Sequence, residues 1–135
     1  GTVRFTGNQG GGADYSGNVQ FYDVIIAIGG KLSMNKDTDN ILIAGNFINY
    51  NSNLDNTQGT VLFNGTSPQT ISSVSTPPSS ITTFGNLVVS NPAGVTLLTD
   101  IGVNTSFFYN SGGFLNTNNQ SFYVNGILYD GPLPV

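Results

Sequence analysis

The segment GTVRFTG (residues 1–7) recurs almost unchanged as GTVLFNG (residues 59–65). Apolar and polar side chains alternate in the first segment, and the second has a short apolar run in the same place. A glycine ends both segments, and this pattern is typical of a short β-strand followed by a turn. The similarity continues downstream, where FYDVII (21–26) matches FGNLVV (84–89). We therefore predict that the chain contains two copies of a repeat of about 60 residues.

The two copies differ in length at two places. The second copy is longer around SVSTPPSSI (73–81), and the first copy is longer at NKDT (35–38). Insertions that leave the flanking apolar pattern intact belong in loops, so we expect both segments to connect strands. The predicted units are a first repeat, a second repeat, and a tail or link to a further module, at residues 1–58, 59–126 and 127–135.

The amino-acid composition favours an all-β fold. Only 7% of the residues are charged, the net charge is −4, and the chain contains 18 Asn and 18 Gly. Charged residues make up about 25% of an ordinary soluble domain, so amides and hydroxyls carry the polarity here. Helix-favouring residues are scarce while Val, Ile, Thr, Phe and Tyr are plentiful, and this balance favours strands.

Short apolar runs such as TVLF (60–63) and SFYVNG (121–126) recur about every ten residues, with Gly, Asn, Pro or Asp between them. No window shows helical periodicity. Two architectures have this spacing: a β-solenoid, in which coils stack, and β-sandwich modules with hairpin turns. We expect a β-solenoid resembling a parallel β-helix, because stacked coils can align Asn side chains in ladders; β-sandwich modules are the alternative.

The second copy carries five motifs of the same strand-and-turn type: GTVLFNG (59–65), QTI (69–71), FGNLVV (84–89), GVTL (94–97) and FLNTNNQSFYVNG (114–126). Together they resemble the repeats of very large adhesin- and filament-like surface proteins of the Bacteroidetes, which the type IX secretion system exports. The first copy departs from this pattern, because NQGGGADYSG (8–17) replaces its QTI segment. The resemblance implies a structural or adhesive role at the bacterial cell surface and no catalytic residue.

Missing residue types exclude several kinds of function. The chain has no His, Cys, Trp or Glu, so it lacks a Ser–His–Asp triad, a Cys–His pair and an imidazole zinc site. Its three cations, Arg4, Lys31 and Lys36, do not form the basic cluster that nucleic acids or anionic membranes require. We predict a non-enzymatic protein without catalytic residues, without a nucleic-acid partner and without membrane insertion.

The segment NKDTDN (35–40) is the one concentration of charge. Asn35, Asp37 and Asp39 occupy alternate positions, as do the first oxygen ligands of a calcium-binding loop. The glycine of such a loop is replaced by Asn40, and no Glu follows. We therefore keep two interpretations: a solvated turn in which Asp side chains cap the backbone, and a calcium site. No cofactor other than calcium is predicted.

Aromatic residues suggest a second kind of site. Phe107, Phe108 and Tyr109 are consecutive, so at least one ring must face outward from a strand. Exposed rings beside Asn or Asp side chains can stack on sugars while the amides bind hydroxyls. We predict Phe108, Tyr109 and Tyr123 as candidate ligand-binding residues, and packing against a neighbouring module is the alternative role for these rings.

These observations together predict an extracellular structural or adhesive module. Its expected partners are neighbouring repeats or other copies of itself, stacked into a rod or filament. A carbohydrate-binding module that uses the exposed aromatics is the alternative, with surface glycans as partners.

Overall fold

The computed structural model describes residues 1–6, 18–34, 36–50, 54–55, 58–74, 81–110 and 112–129, with the side chains of 54 and 55 excepted. These residues form strands and turns and contain no helix. The predicted loop insertion at 73–81 lies mostly outside the described residues, as does Asn35. The strands are β1 (Val3–Phe5), β2 (Asn18–Phe21), β3 (Val24–Ile26), β4 (Leu32–Ser33), β5 (Asn40–Ile43), β6 (Phe47–Asn49), β7 (Leu54–Asp55), β8 (Thr60–Phe63), β9 (Gln69–Ser73), β10 (Thr82–Val89), β11 (Val95–Leu97), β12 (Ile101–Tyr109), β13 (Leu115–Asn116), β14 (Phe122–Val124) and β15 (Ile127–Tyr129).

The strands form two large sheets and one short pair. The first sheet has the order β1-β3-β6-β9-β11-β13. The second sheet has the order β14-β12-β10-β8-β5-β2, and β15 also pairs with β12. The short pair joins β4 and β7. Each step across a sheet therefore moves to the next coil of the chain.

Every described strand pair is parallel, and paired residues lie about one coil apart. Thr82 pairs with Ile101, 19 residues further on, and Thr60 pairs with Asn86, 26 residues further on. The chain is a β-solenoid of about five turns. This confirms the predicted all-β solenoid, while hairpin-connected sandwich modules would require antiparallel pairs.

The two similar heptapeptides lie in different sheets. Val3–Phe5 of the first heptapeptide forms β1 in the first sheet, whereas Thr60–Phe63 of the second forms β8 in the second sheet. Their similarity therefore reflects a shared strand-and-turn pattern and not an equivalent place in the solenoid. The repeat boundaries at residues 58 and 126 stay a prediction, and Ile127–Tyr129 of the predicted tail forms β15 beside β12.

The interior between the two sheets is apolar and rich in phenylalanine. Phe47 of the first sheet and Phe84 of the second have ring centroids 5.3 Å apart. Phe107 contacts Phe122 of the last described coil at 4.8 Å between centroids. The other inward side chains that are fully buried are mostly aliphatic: Val24, Ile26, Ile41, Ile43, Val61, Ile71, Leu87, Val89, Val95, Leu97, Ile101 and Val103.

A buried pair of amides fills one corner of the coil stack. Gln69 Nε2 donates to Ile43 O at 2.9 Å and also to Gly45 O, while Gln69 Oε1 accepts from Gly65 N at 3.0 Å. Asn91 Nδ2 of the following coil donates to the same Oε1 at 2.9 Å. Burial of an amide is tolerated only when its donors and acceptors are paired, and here they are.

Exposed polar side chains link successive coils, as the Asn content predicted. Asn40 Nδ2 donates to Asn18 Oδ1 at 2.9 Å, and Asn125 Nδ2 donates to Asn104 Oδ1 at 3.2 Å. Elsewhere a side chain of one coil accepts a hydrogen bond from a backbone N–H group of the next coil. Asp23 Oδ1 accepts from Asn46 N at 2.7 Å there.

Two glycines permit turns that other residues would strain. Gly29 has φ of +76° and Gly94 has φ of +91°, both in the left-handed region. A Cβ on Gly29 would meet nothing within 4 Å, whereas one on Gly94 would lie 2.5 Å from the Phe114 ring. Gly94 therefore serves both the turn and a close approach of the next coil.

Candidate ligand-binding groove and calcium turn

A groove of about 400 Å³ runs across the outer face of the second sheet. It is lined by two columns of side chains, each with one residue from each successive coil. The polar column consists of Asn18, Asn40, Thr60 and Asn86, which are partners in register. The apolar column lies two residues further along each strand and consists of Leu42, Leu62, Val88 and Phe108. Asn110, two residues after Phe108, also lines the groove.

Strand alternation explains why these columns face outward. In β5, Ile41 and Ile43 are buried in the interior while Asn40 and Leu42 are partly exposed. The same alternation holds in β8 (Thr60–Phe63). Consecutive side chains of a strand point to opposite faces, so an extra aliphatic residue in an apolar run must lie outside. These strands therefore place an apolar stripe on the outer surface.

The polar column has both engaged and available hydrogen-bonding atoms. Ser106 Oγ donates to Asn86 Oδ1 at 2.6 Å, and Asn86 Nδ2 donates to Gly59 O at 3.2 Å. Asn18 Oδ1 accepts from Asn40, as described above. Within the part of the chain that the structure describes, Asn18 Nδ2 and Asn40 Oδ1 have no hydrogen-bond partner. The adjacent side chains of Asn18 and Asn40 thus present a donor group and an acceptor atom to the groove, beside the hydroxyl of Thr60.

The three aromatic residues singled out in the sequence do not meet in one place. Phe108 lines the groove and stacks on Tyr129, with centroids 4.4 Å apart and ring planes 7° from parallel. Tyr109 faces the other side of β12, where its ring meets Phe107 edge-on at 4.8 Å. Tyr123 is 50% exposed and pairs with Gly102, near the opposite end of β12 from Phe108. Of the three, only Phe108 lies beside Asn side chains of the groove.

Sequence reasoning missed most of the groove. Leu42 and Leu62 belong to the runs NILI and TVLF, where apolar residues occupy both faces of the strand. That departure from strict alternation was the available signal, because a strand with one solvated face has polar side chains there. Nothing in the sequence distinguishes Asn40 and Asn86 as groove residues from the other Asn among the 18 in the chain.

The predicted calcium segment forms a compact turn. Asp39 N donates to Lys36 O at 3.0 Å, and Asp39 Oδ2 accepts from Lys36 N at 3.1 Å. Asp39 is 1% exposed, and its Oδ1 is buried without a hydrogen-bond partner among the described residues. Asp37 is exposed. The Asp39 side chain therefore caps the turn, but it is buried, whereas the first of the two interpretations expects a solvated turn.

Calcium binding at this turn stays a prediction. Asn35, the first of the three expected ligands, lies outside the described residues. Among all the residues that the structure describes, no three acidic side chains lie close enough together to hold a metal ion.

Comparison with known proteins gives no relative from which a function could be transferred. No family model, no curated protein and no solved structure matches the chain. In the described ranges, no helix has the length and apolar character needed to cross a bilayer.

Proposed function

We propose that this chain is a non-enzymatic structural and adhesive module of a secreted bacterial surface protein, in which coils stack into a rod and further coils add at its ends. The resemblance of its motifs to repeats of Bacteroidetes surface proteins supports an extracellular location. The parallel solenoid supports the rod, because each coil buries its apolar faces against its neighbours.

The observation that carries this proposal is the open edge of the last described coil. We call β13, β14 and β15 the carboxy-terminal edge. In the described chain each of these strands pairs with another strand on one side only. Phe122 and Val124 of this coil pack against the interior but are only partly buried, and Leu128 is 60% exposed. A further coil would cover these side chains and pair their backbone groups.

This edge also lacks the features that normally prevent pairing. Natural edge strands are protected by Lys, Pro or inward-pointing charges. Residues 112–129 contain no charged residue and no proline. The strand edge is therefore chemically open to another strand.

The opposite end of the stack is also an edge with partly covered apolar side chains, although β1 there contains the charged residue Arg4. There β1 and β2 are the edge strands among the described residues. Val3, Phe5 and Phe21 pack against the interior and are only partly buried. Because all the described pairs are parallel, the first coil of one copy can continue the parallel order of the last coil of another.

Analytical ultracentrifugation over a range of concentrations, combined with electron microscopy, tests the proposal. We expect concentration-dependent end-on oligomers or strings of uniform width. The variant Leu128→Lys places a charge at the carboxy-terminal edge and should abolish them. Leu98→Lys is the matched control, because Leu98 is 48% exposed directly after β11, a strand that is paired on both sides.

Three outcomes bear directly on the proposal. Association that Leu128→Lys prevents and Leu98→Lys leaves intact supports it. A wild-type protein that stays monomeric at every concentration contradicts self-assembly. Association that is lost equally in both variants assigns the contact to the side of the stack and also contradicts the proposal.

A further inference from the structure

The groove on the second sheet lies on the side of the coil stack and reaches the edge strand β2 at one end, through Asn18. Its lining residues come from five adjacent strands: β2, β5, β8, β10 and β12. Neighbouring strands are about 4.8 Å apart, so the groove is about 19 Å long and runs along the stacking direction. It is therefore shaped for an extended chain and not for a compact small molecule.

The lining is uncharged throughout. Amide, hydroxyl, aliphatic and aromatic groups provide the surface: Asn18, Asn40, Leu42, Thr60, Leu62, Asn86, Val88, Phe108 and Asn110. A charged polymer would lose its hydration here without gaining an opposite charge. The surface therefore favours a neutral ligand.

The two columns call for a ligand with two kinds of surface. In the apolar column Leu62 and Phe108 are partly exposed, with the nearly buried Val88 between them. The polar column beside it offers the amides of Asn40 and Asn86 and, one coil beyond Asn40, that of Asn18. Sugars in a neutral polysaccharide have C–H faces that pack on apolar and aromatic groups, and hydroxyls at their edges that both donate and accept hydrogen bonds. Asn side chains match these hydroxyls because each amide has a donor and an acceptor.

Phe108 is held in a fixed orientation. Its ring stacks on Tyr129 of the next coil with nearly parallel planes, so one face of the ring is supported from within the protein. A ring that is already ordered loses little conformational freedom when a ligand packs on it. This makes Phe108 the aromatic platform at one end of the groove.

From these observations we propose that the groove binds a neutral polysaccharide chain that lies along the coil stack, with its sugars packed on the apolar column from Leu42 to Phe108 and its hydroxyls bonded to the Asn18 and Asn40 amides. This function goes beyond the proposed rod, because all the described lining residues of the groove belong to a single copy. Glycan binding and end-on assembly can therefore each fail without the other.

Isothermal titration calorimetry with cellohexaose, mannohexaose and xylohexaose tests the inference, with an oligogalacturonate of the same length as the charged probe. We expect at least one neutral oligosaccharide to bind and the charged probe not to bind. Phe108→Ala should weaken binding by about tenfold, which corresponds to about 1.4 kcal/mol and lies within the range of a single aromatic contact. Asn18→Ala removes an exposed amide and should weaken binding without affecting the fold.

Tyr123→Ala is the matched control, since Tyr123 is an exposed aromatic residue near the opposite end of β12 from Phe108. Circular dichroism and thermal melting establish that each variant is folded. The inference is overturned if no neutral oligosaccharide binds at millimolar concentration, if the oligogalacturonate binds as well, or if Tyr123→Ala alone weakens binding. It is also overturned if Phe108→Ala dissociates a dimer and leaves sugar binding unchanged, because a second copy would then occupy the groove.

Discussion

Phe107 and Phe108 are neighbours in β12, yet their rings lie on opposite faces of the second sheet. Phe107 is fully buried between Tyr109 and Phe122, whereas Phe108 lies in the outer groove against Tyr129. This follows from strand alternation, which separates a residue that holds the fold together from one that is free to contact a ligand.

The first prediction concerns this pair. Phe107→Ala removes a fully buried ring and should lower the free energy of unfolding by about 3–5 kcal/mol. Phe108→Ala removes mainly the stack on Tyr129 and should cost about 1 kcal/mol. Urea denaturation of the two variants measures the difference. Equal losses would mean that the assignment of the two faces is wrong.

The second prediction concerns the buried amides Gln69 and Asn91. Asn91→Ala leaves Gln69 Oε1 short of one donor and also removes the bond from Asn91 Nδ2 to Ser67 O, 2.7 Å long. Unpaired buried polar groups destabilise by about 1–3 kcal/mol, and we expect a loss in this range. Asn125→Ala instead removes an exposed hydrogen bond between two side-chain amides and should change the free energy of unfolding by less than about 0.5 kcal/mol. Thermal unfolding with both variants provides the measurement; similar melting temperatures would count against a structural role for the buried pair.

The third prediction separates backbone strain from steric contact. Gly29→Ala adds a methyl group in open space at a positive φ and should cost about 1 kcal/mol. Gly94→Ala adds a similar strain and also places a methyl group against the far end of the Phe114 ring. Phe114 is half exposed and can turn aside, so the loss should exceed that of Gly29→Ala by only a few tenths of a kcal/mol, on the order of the cost of an off-rotamer side chain. Chemical denaturation of the two proteins tests the order. A larger loss for Gly29→Ala would contradict the close approach at Gly94.

The fourth prediction distinguishes the two interpretations of the 35–40 turn. Asp39→Ala removes the side chain that accepts from Lys36 N and should destabilise by about 1–2 kcal/mol. Asp37→Ala changes an exposed residue and should have little effect in the absence of calcium. Thermal melting with added calcium or with a chelator completes the test. A capping turn melts at the same temperature in both; a rise with calcium that Asp37→Ala abolishes would establish the metal site.

The architecture could be predicted from the sequence, because short strands, frequent turns and abundant Asn all favour stacked coils. The equivalence of the two heptapeptides could not, since the same strand-and-turn pattern serves strands of either sheet. A bulge adds to the difficulty: the register of β10 shifts between Phe84 and Asn86, so Phe84, Leu87 and Val89 all face the interior although their spacing is uneven. A sequence pattern of period two cannot anticipate such a shift.

The candidate site was predictable only at Phe108. The strand rule required one outward ring among three consecutive aromatics, and Phe108 has that position. The rest of the groove depends on the strand register, that is, on which residues of successive coils are paired side by side. Leu62 and Val88 lie side by side although 26 positions separate them in the sequence. Coil lengths that vary from one turn to the next conceal this proximity.

The short distance along the chain between paired strands has a consequence for how such a protein folds. Paired residues of neighbouring coils lie 19 to 26 positions apart in the sequence, however many coils are stacked. The entropic cost of closing each loop depends on that local distance and not on the total chain length. Sheets formed by distant segments assemble slowly, but here each new coil needs only the previous one as its template. A chain of this design could therefore grow to great length without folding more slowly per coil.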